Sequence, residues 1–358
     1  MKMLSEAPLE IVEEPPRLTI RKPSEILALP DDPDDCLLGD RLLSKGGSLV
    51  LIGPPGCHKS RLILTLAACC VTGHDFLGLP TFAENKRWLI LQFENDNRRL
   101  KYDFGGIKAM LGANGFERFD EAVSVHTLEG ETDFMGALDD LKAVARMEAA
   151  IDESQPDIIG IDSIYNVGIG DLNKDADMRQ TCFALSQLVK RGNPRRAVVA
   201  LHHSLTGKAA VARSGGWDRG SYSRNSKVLH AWTRGQINVA PGSTDGTSIV
   251  LSCGKASNGR EFDRVAARLD GRGVLVPFPD FDFGGWESEV SDRPSVKRKA
   301  VGIDEVAAEA DDITKTDLVA ALIKEHGLGK SRAYELVEAA HKAKRIIRSP
   351  LTKKFNRK

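Results

Sequence analysis

The 358-residue sequence predicts an α/β fold: a mostly parallel sheet flanked by helices, with a small helical domain at the C-terminus. Three observations predict it. Short continuous apolar runs alternate with longer helical segments, the pattern of a parallel sheet buried on both faces. One of those runs leads directly into a near-match to a phosphate-binding loop and then a helix. The charge is also divided along the chain. The formal net charge is zero, yet residues 313–358 carry twelve Lys and Arg against four Asp and Glu, a balance of +8 that leaves −8 on residues 1–312.

Taken in order, residues 1–36 are rich in Pro, Asp and Glu with little periodicity and are expected to form an arm or linker. Residues 37–279 hold the α/β domain. Its strands are expected at SLVLI (48–52), RWLILQF (87–93), AVSVHTL (122–128), DIIGID (157–162) and AVVALHH (197–203), with helices such as 59–72, 134–153 and 177–191 between them. The stretch TGKAAVARSGGWDRGSYSRN reads as a long loop, and RGQINVA and TSIVLSCGKA, joined by PGSTDG, as an antiparallel hairpin at the sheet edge. Residues 280–312 read as a linker. In 313–358, TKTDLVAALIKEHG and GKSRAYELVEAAHKAKR form two amphipathic helices followed by a short strand pair. That outline fits a winged helix-turn-helix, and also a helical protein-docking module.

Composition narrows the class. At 41% hydrophobic and 28% charged the chain can bury a substantial core. It has no apolar run of about eighteen residues and no leader-like N-terminus, so a soluble, cytoplasmic protein with no membrane contact is expected. Cys36, Cys57, Cys69, Cys70, Cys182 and Cys253 contain no C-x-x-C pair and are expected to be reduced thiols.

The chemistry centres on SLVLIGPPGCHKS, residues 48–60. The usual loop is G-x-x-x-x-G-K-[ST]. Gly53, Lys59 and Ser60 hold their places, but His58 stands where the second glycine belongs. In such a loop the backbone N–H groups from Gly53, Pro54, Pro55, Gly56, Cys57 and His58 to the helix start at Lys59, Ser60 and Arg61 surround the phosphates (the prolines contribute no N–H). The lysine adds a point charge, and the serine hydroxyl takes Mg²⁺. Histidine tolerates positive φ better than most side chains, so binding can survive. His58 either touches the nucleotide or a neighbouring subunit, or simply faces solvent. Asp162, closing DIIGID, suits the metal-positioning acid, and Glu94, closing RWLILQFE, suits the carboxylate that holds the attacking water.

This order of phosphate loop, Glu, Asp and paired histidines (ALHH, 200–203) resembles the RecA-like ATPase core. Over about residues 37–278 it is similar in particular to the hexameric RepA-type plasmid replicative helicases and their AAA-25 relatives. The resemblance implies ATP and Mg²⁺ as cofactors, with Glu94 catalytic and Ser60 and Asp162 at the metal. One of His202 and His203 would sense the γ-phosphate. HAWTRGQINV resembles the segment whose arginine reaches the next subunit's site, which makes Arg234 the finger, with Arg219 and Arg224 as alternatives. LSCGKASNG places Lys255 at the same interface. The resemblance further implies a homo-oligomer, a hexameric ring that passes single-stranded DNA through its channel. Lys208, Arg213 and Arg219 in the loop after the histidines would grip that strand. Ser331, Arg332 and Tyr334 of the C-terminal segment would face duplex DNA. The expected function is a DNA-dependent replicative helicase of a plasmid, phage or mobile element. The alternative is a non-translocating RecA-like switch that controls assembly or loading of replication or recombination proteins. A kinase would leave the histidine pair and the hairpin without roles.

Overall fold

The computed structural model describes residues 18–130, 136–207, 211–212, 214–215, 219–223, 227–291, 302–326, 330–350 and 352–357, with backbone alone at 326 and 330–332. A short helix α1 (Pro23–Leu27) and an antiparallel pair, β1 (Cys36–Leu38) and β2 (Leu43–Ser44), precede the main sheet. The sheet comprises β3 (Ser48–Gly53), β4 (Trp88–Gln92), β5 (Val123–Val125), β6 (Ile158–Asp162), β7 (Ala197–His203), β8 (Gly235–Pro241), β9 (Ser248–Ala256), β10 (Val265–Leu269) and β11 (Leu275–Pro277). These nine strands lie in the order β11-β10-β9-β8-β3-β7-β6-β4-β5. The run from β8 to β5 is parallel, β9, β10 and β11 continue it antiparallel, and a short helix α7 (Lys227–Trp232) leads into β8.

Alternate residues of each central strand feed opposite faces. Leu49 and Leu51 of β3, with Ile90, Val199 and Leu201, pack against Leu62, Ile63 and Leu66 of α2 (Lys59–Thr72). Helix α3 (Asn97–Ala122) lies beside α2 on that face, packing through Ile107 and Phe119. Val50, Ile52, Ile159 and Val198 face Met147 and Ile151 of α4 (Leu141–Ser154) and Met178 and Leu185 of α6 (Asp175–Lys190). Most of α2 is buried around its whole circumference, as expected of a helix wedged between a sheet and a second helix layer. It fits because β6 carries Gly160, where a Cβ would stand 2.8 Å from Ile63 Cδ1.

Three expectations are revised. The β8–β9 hairpin is not at the edge: β8 lies parallel beside β3, and β10 and β11 extend the sheet past β9. Both β8 and β9 are buried over most of their length, which only an interior position allows. The helix expected over 134–153 begins at Leu141, where the Asp140 carboxylate accepts from the Lys142 N–H at 2.8 Å and caps it. The segment 280–312, expected as a linker, contains two helices. Helix α8 (Phe283–Ser291) buries Trp286 against Ala240 and Val250. Helix α9 (Ile303–Ala308) instead joins a separate core with α10 (Lys315–His326), α11 (Lys330–Lys342) and the antiparallel pair β12 (Ile346–Arg348) and β13 (Phe355–Arg357).

Candidate active site

Strand β3 ends at Gly53, where a Cβ would meet the Val239 carbonyl oxygen at 2.7 Å, so only glycine lets β8 close against the loop. His58 caps α2 in the left-handed region at φ 55°, ψ 26°, so histidine adopts the backbone that glycine normally supplies. It does not face solvent alone, because its Nε2 lies 2.7 Å from the Gly246 carbonyl oxygen. Lys59 is buried and donates to the carbonyls of Gly53 and Pro54, both at 2.9 Å. Burial pulls its pKa below the usual lysine value, opposed by the charges of Asp162 and Glu94. Burial likewise raises the Cys57 thiol to about 11, so this loop cysteine stays protonated near neutrality.

Asp162 ends β6 and is 4% exposed. Burial, with the Glu94 carboxylate nearby, raises it to about 6, against hydrogen bonds from Ser60 and Asn95 and the charge of Lys59. Ser60 and Asp162 line one small cavity, an all-oxygen pair of the kind magnesium accepts. A carboxylate held this far from water gains strongly from a cation beside it, so the pair fits the ion on chemical grounds.

Glu94 follows β4 on a turn that Gln92 builds. The buried Gln92 side chain accepts from the N–H groups of Glu94 (3.3 Å) and Asn95 (2.7 Å) and donates to the carbonyls of Asn95 (3.0 Å) and His126 (2.8 Å). Glu94 itself is exposed. Its Oε1 accepts from Asn166 Nδ2 at 2.9 Å and Ser163 Oγ at 3.3 Å. Ser163 is the N-cap of helix α5 (Ile164–Val167) and Asn166 lies within it, and the Asp162–Ser163 peptide is cis. Neither these two nor Gln92 and Asn95 were singled out from sequence. The available signal was the polar residues interrupting apolar runs beside each acid, in LQFEN and DSIYN.

The paired histidines end β7, with His202 opposite Ile52 and His203 opposite Gly53. His202 is buried, and the His203 ring lies edge-on to Tyr165 of α5 at 6.5 Å. The loop, both acids and the histidine pair therefore share the C-terminal edge of neighbouring parallel strands.

Arg234 and Lys255 do not join them. Arg234 precedes β8 and its N–H donates to the Ser48 carbonyl at 3.0 Å, at the opposite end of β3 from Gly53. Five residues of strand put it about 16 Å from the loop. Lys255, paired across from Gln236, donates to the His230 carbonyl at 2.6 Å beside Arg234. The Arg61 side chain turns away from the loop to Asp103 at 2.9 Å, whose other oxygen takes Arg99 at 2.8 Å. The Arg219 side chain pairs with Glu261. Lys208, Arg213 and Arg224, and the side chains of Ser331 and Arg332, lie outside the described residues. Tyr334 packs on the C-terminal core beneath Lys315, whose Nζ is 5.5 Å from the ring centroid. Beside the phosphate loop, an apolar pocket is lined by Pro54, Pro55, Val211, Pro241, Trp286 and Val290. No described helix is long and apolar enough to cross a membrane.

The profile of the AAA_25 family, described as an AAA domain, matches residues 14–209. No curated protein is significantly similar to the chain. Among solved structures, the crystal structure of the RadB recombinase aligns at 13% identity and TM-score 0.42, covering 64% of this chain and 90% of that one. A second solved structure, that of an ATPase domain, aligns at 12% identity and TM-score 0.45, covering 65% of this chain and 86% of that one.

Proposed function

The chain belongs to the AAA_25 family of AAA domains and is a P-loop ATPase by that membership; from this premise we propose a DNA-dependent, ring-forming helicase that serves replication of a plasmid, phage or other mobile element. The observation that supports hydrolysis is the convergence of Lys59, Ser60, Asp162 and Glu94 at one sheet edge. Loop N–H groups and Lys59 bind the β- and γ-phosphates. Ser60 and Asp162 would hold Mg²⁺, which when bound neutralises charge on those phosphate oxygens. Asn166 and Ser163 both bond Glu94 through Oε1, so Oε2 is the atom placed to take the proton of the attacking water. His203, level with the loop's first glycine, and His202 one residue before it read the γ-phosphate. The largely apolar pocket beside Pro54 and Pro55 takes the base.

Arg234 is too far from its own loop to stabilise charge there, so its role is at a neighbouring chain's site, with Lys255 beside it. The loop carrying Lys208, Arg213 and Arg219 is assigned to the single strand, and the basic C-terminal unit to duplex DNA. Mass measurement with and without ATP and single-stranded DNA, alongside forked-duplex unwinding, tests this. A six-subunit ring with DNA-stimulated turnover and unwinding is expected. ATP-dependent assembly without unwinding leaves the switch, and a monomer in every condition ends the ring proposal.

A further inference from the structure

The turn of the β8–β9 hairpin touches the phosphate loop through the side chain that departs from the usual motif. His58 Nε2 lies 2.7 Å from the Gly246 carbonyl oxygen, and because a carbonyl only accepts, Nε2 carries the proton. Glycine at this position would hold the left-handed backbone more cheaply but could make no such contact. The turn it reaches is knit internally. Asp245 Oδ1 accepts from Ser243 Oγ at 2.6 Å, Thr247 Oγ1 at 2.8 Å and the Thr247 N–H at 3.0 Å, and these bonds hold its carboxyl down at about 2. A pull on Gly246 therefore moves the turn as one piece.

The hairpin is also built to pass that movement on. Strand β8 pairs with β3 only from Gly235 to Asn238, so Val239, Ala240 and Pro241 pair with β9 alone. Below them the β8–β9 ladder shifts register between Gln236 and Ile237, and there Gly254 of β9 packs closely on β8, a Cβ on it standing 2.6 Å from Gln236 Nε2, which donates to Asn238 Oδ1 at 2.7 Å. The far end, about 23 Å away along seven residues, carries Arg234 and Lys255. At the near end Lys59 is bonded to the carbonyls of Gly53 and Pro54, and phosphate oxygens compete for that ammonium, so loading the loop readjusts the backbone between Pro54 and His58.

We propose that His58 is a positioning residue that fastens the phosphate loop to the β8–β9 turn, so that phosphate loading in one chain is transmitted along the hairpin to Arg234 and Lys255 at its far end. The inference rests on the functional reading above, in that it takes the loop to bind nucleotide and the far end to serve a neighbour.

Hydrogen–deuterium exchange tests it on the full chain with Mg²⁺ and a non-hydrolysable ATP analogue, each protein compared at its own saturating concentration. In the wild type, exchange at 234–236 and 254–256 should slow about twofold or more on loading. His58→Gly should bind the analogue and lose that far-end response. His58→Asn, which tolerates the same backbone and keeps an N–H donor, should restore part of it. A His58→Gly protein that responds like the wild type overturns the relay, as does a wild type that binds the analogue with no change at the far end. Failure of the wild type to bind the analogue at all removes the functional reading, and the relay with it.

Discussion

Glu94 is exposed and Asp162 is buried, and the proposed function gives these two carboxylates different tasks. Exposed and steadied through one oxygen, Glu94 is available as a base, so Glu94→Gln should cut turnover by about 100-fold or more while nucleotide binding persists. Unchanged steady-state hydrolysis would remove it from the mechanism. Asp162, raised to about 6, is harder to ionise in the folded chain than in the unfolded one. The stability it contributes is therefore full below about pH 4 and lost as pH rises through about 6. Magnesium needs the carboxylate, so Mg²⁺-dependent nucleotide binding should weaken as pH falls below about 6. Calorimetric titration between pH 5 and pH 8 checks this, and a flat profile would show that Asp162 does not hold the ion. The strand-end positions of both acids were legible in the sequence because each closes an apolar run. Their supports Gln92, Ser163 and Asn166 were not, since only the folded turns bring them within hydrogen-bond reach.

At the level of elements, the strands leading to the loop and the acids were readable because each is a continuous apolar run, and α2 because its pattern follows the loop directly. The strand expected at 122–128 is present but shortened to Val123–Val125, whereas the short strands β10 and β11 gave too few residues for a pattern, and β10 carries Arg268 inside it. Helix α8 was hidden by Gly284 and Gly285; what fixes it is Trp286, whose indole N–H donates to the Pro241 carbonyl at 2.9 Å. The seating of α2 on β6 gives a direct test. At Gly160 any larger side chain crowds Ile63 at 2.8 Å and Ile90 at 3.3 Å. Gly160→Val should cost about 1–3 kcal/mol, read as a drop of several degrees in Tm, while a neutral result would mean that α2 can back away from the sheet.

Across the whole molecule, Arg234 lies at the opposite end of β3 from its own loop, and the proposed function gives it a role at a neighbouring chain's site. Mixing an Arg234→Ala protein with a Lys59→Ala protein should restore activity that neither has alone, because some junctions then pair an intact finger with an intact loop. Absence of recovery, with both variants assembling normally, counts against Arg234. The C-terminal unit has its own core around Leu318, Leu322, Val337 and Phe355, so removing residues 302–358 should lower duplex affinity and flatten its salt dependence while sparing basal ATPase. Equal duplex binding by the shortened chain would assign that unit to protein docking.

The two outermost strands, β5 and β11, are three residues each. An incoming chain would find almost no ladder of open N–H and C=O groups on which to extend the sheet. In the proposed assembly, copies of this protein would therefore meet through side chains and loops, contacts that can loosen and re-form with each nucleotide cycle, where a sheet continued from chain to chain would lock them together.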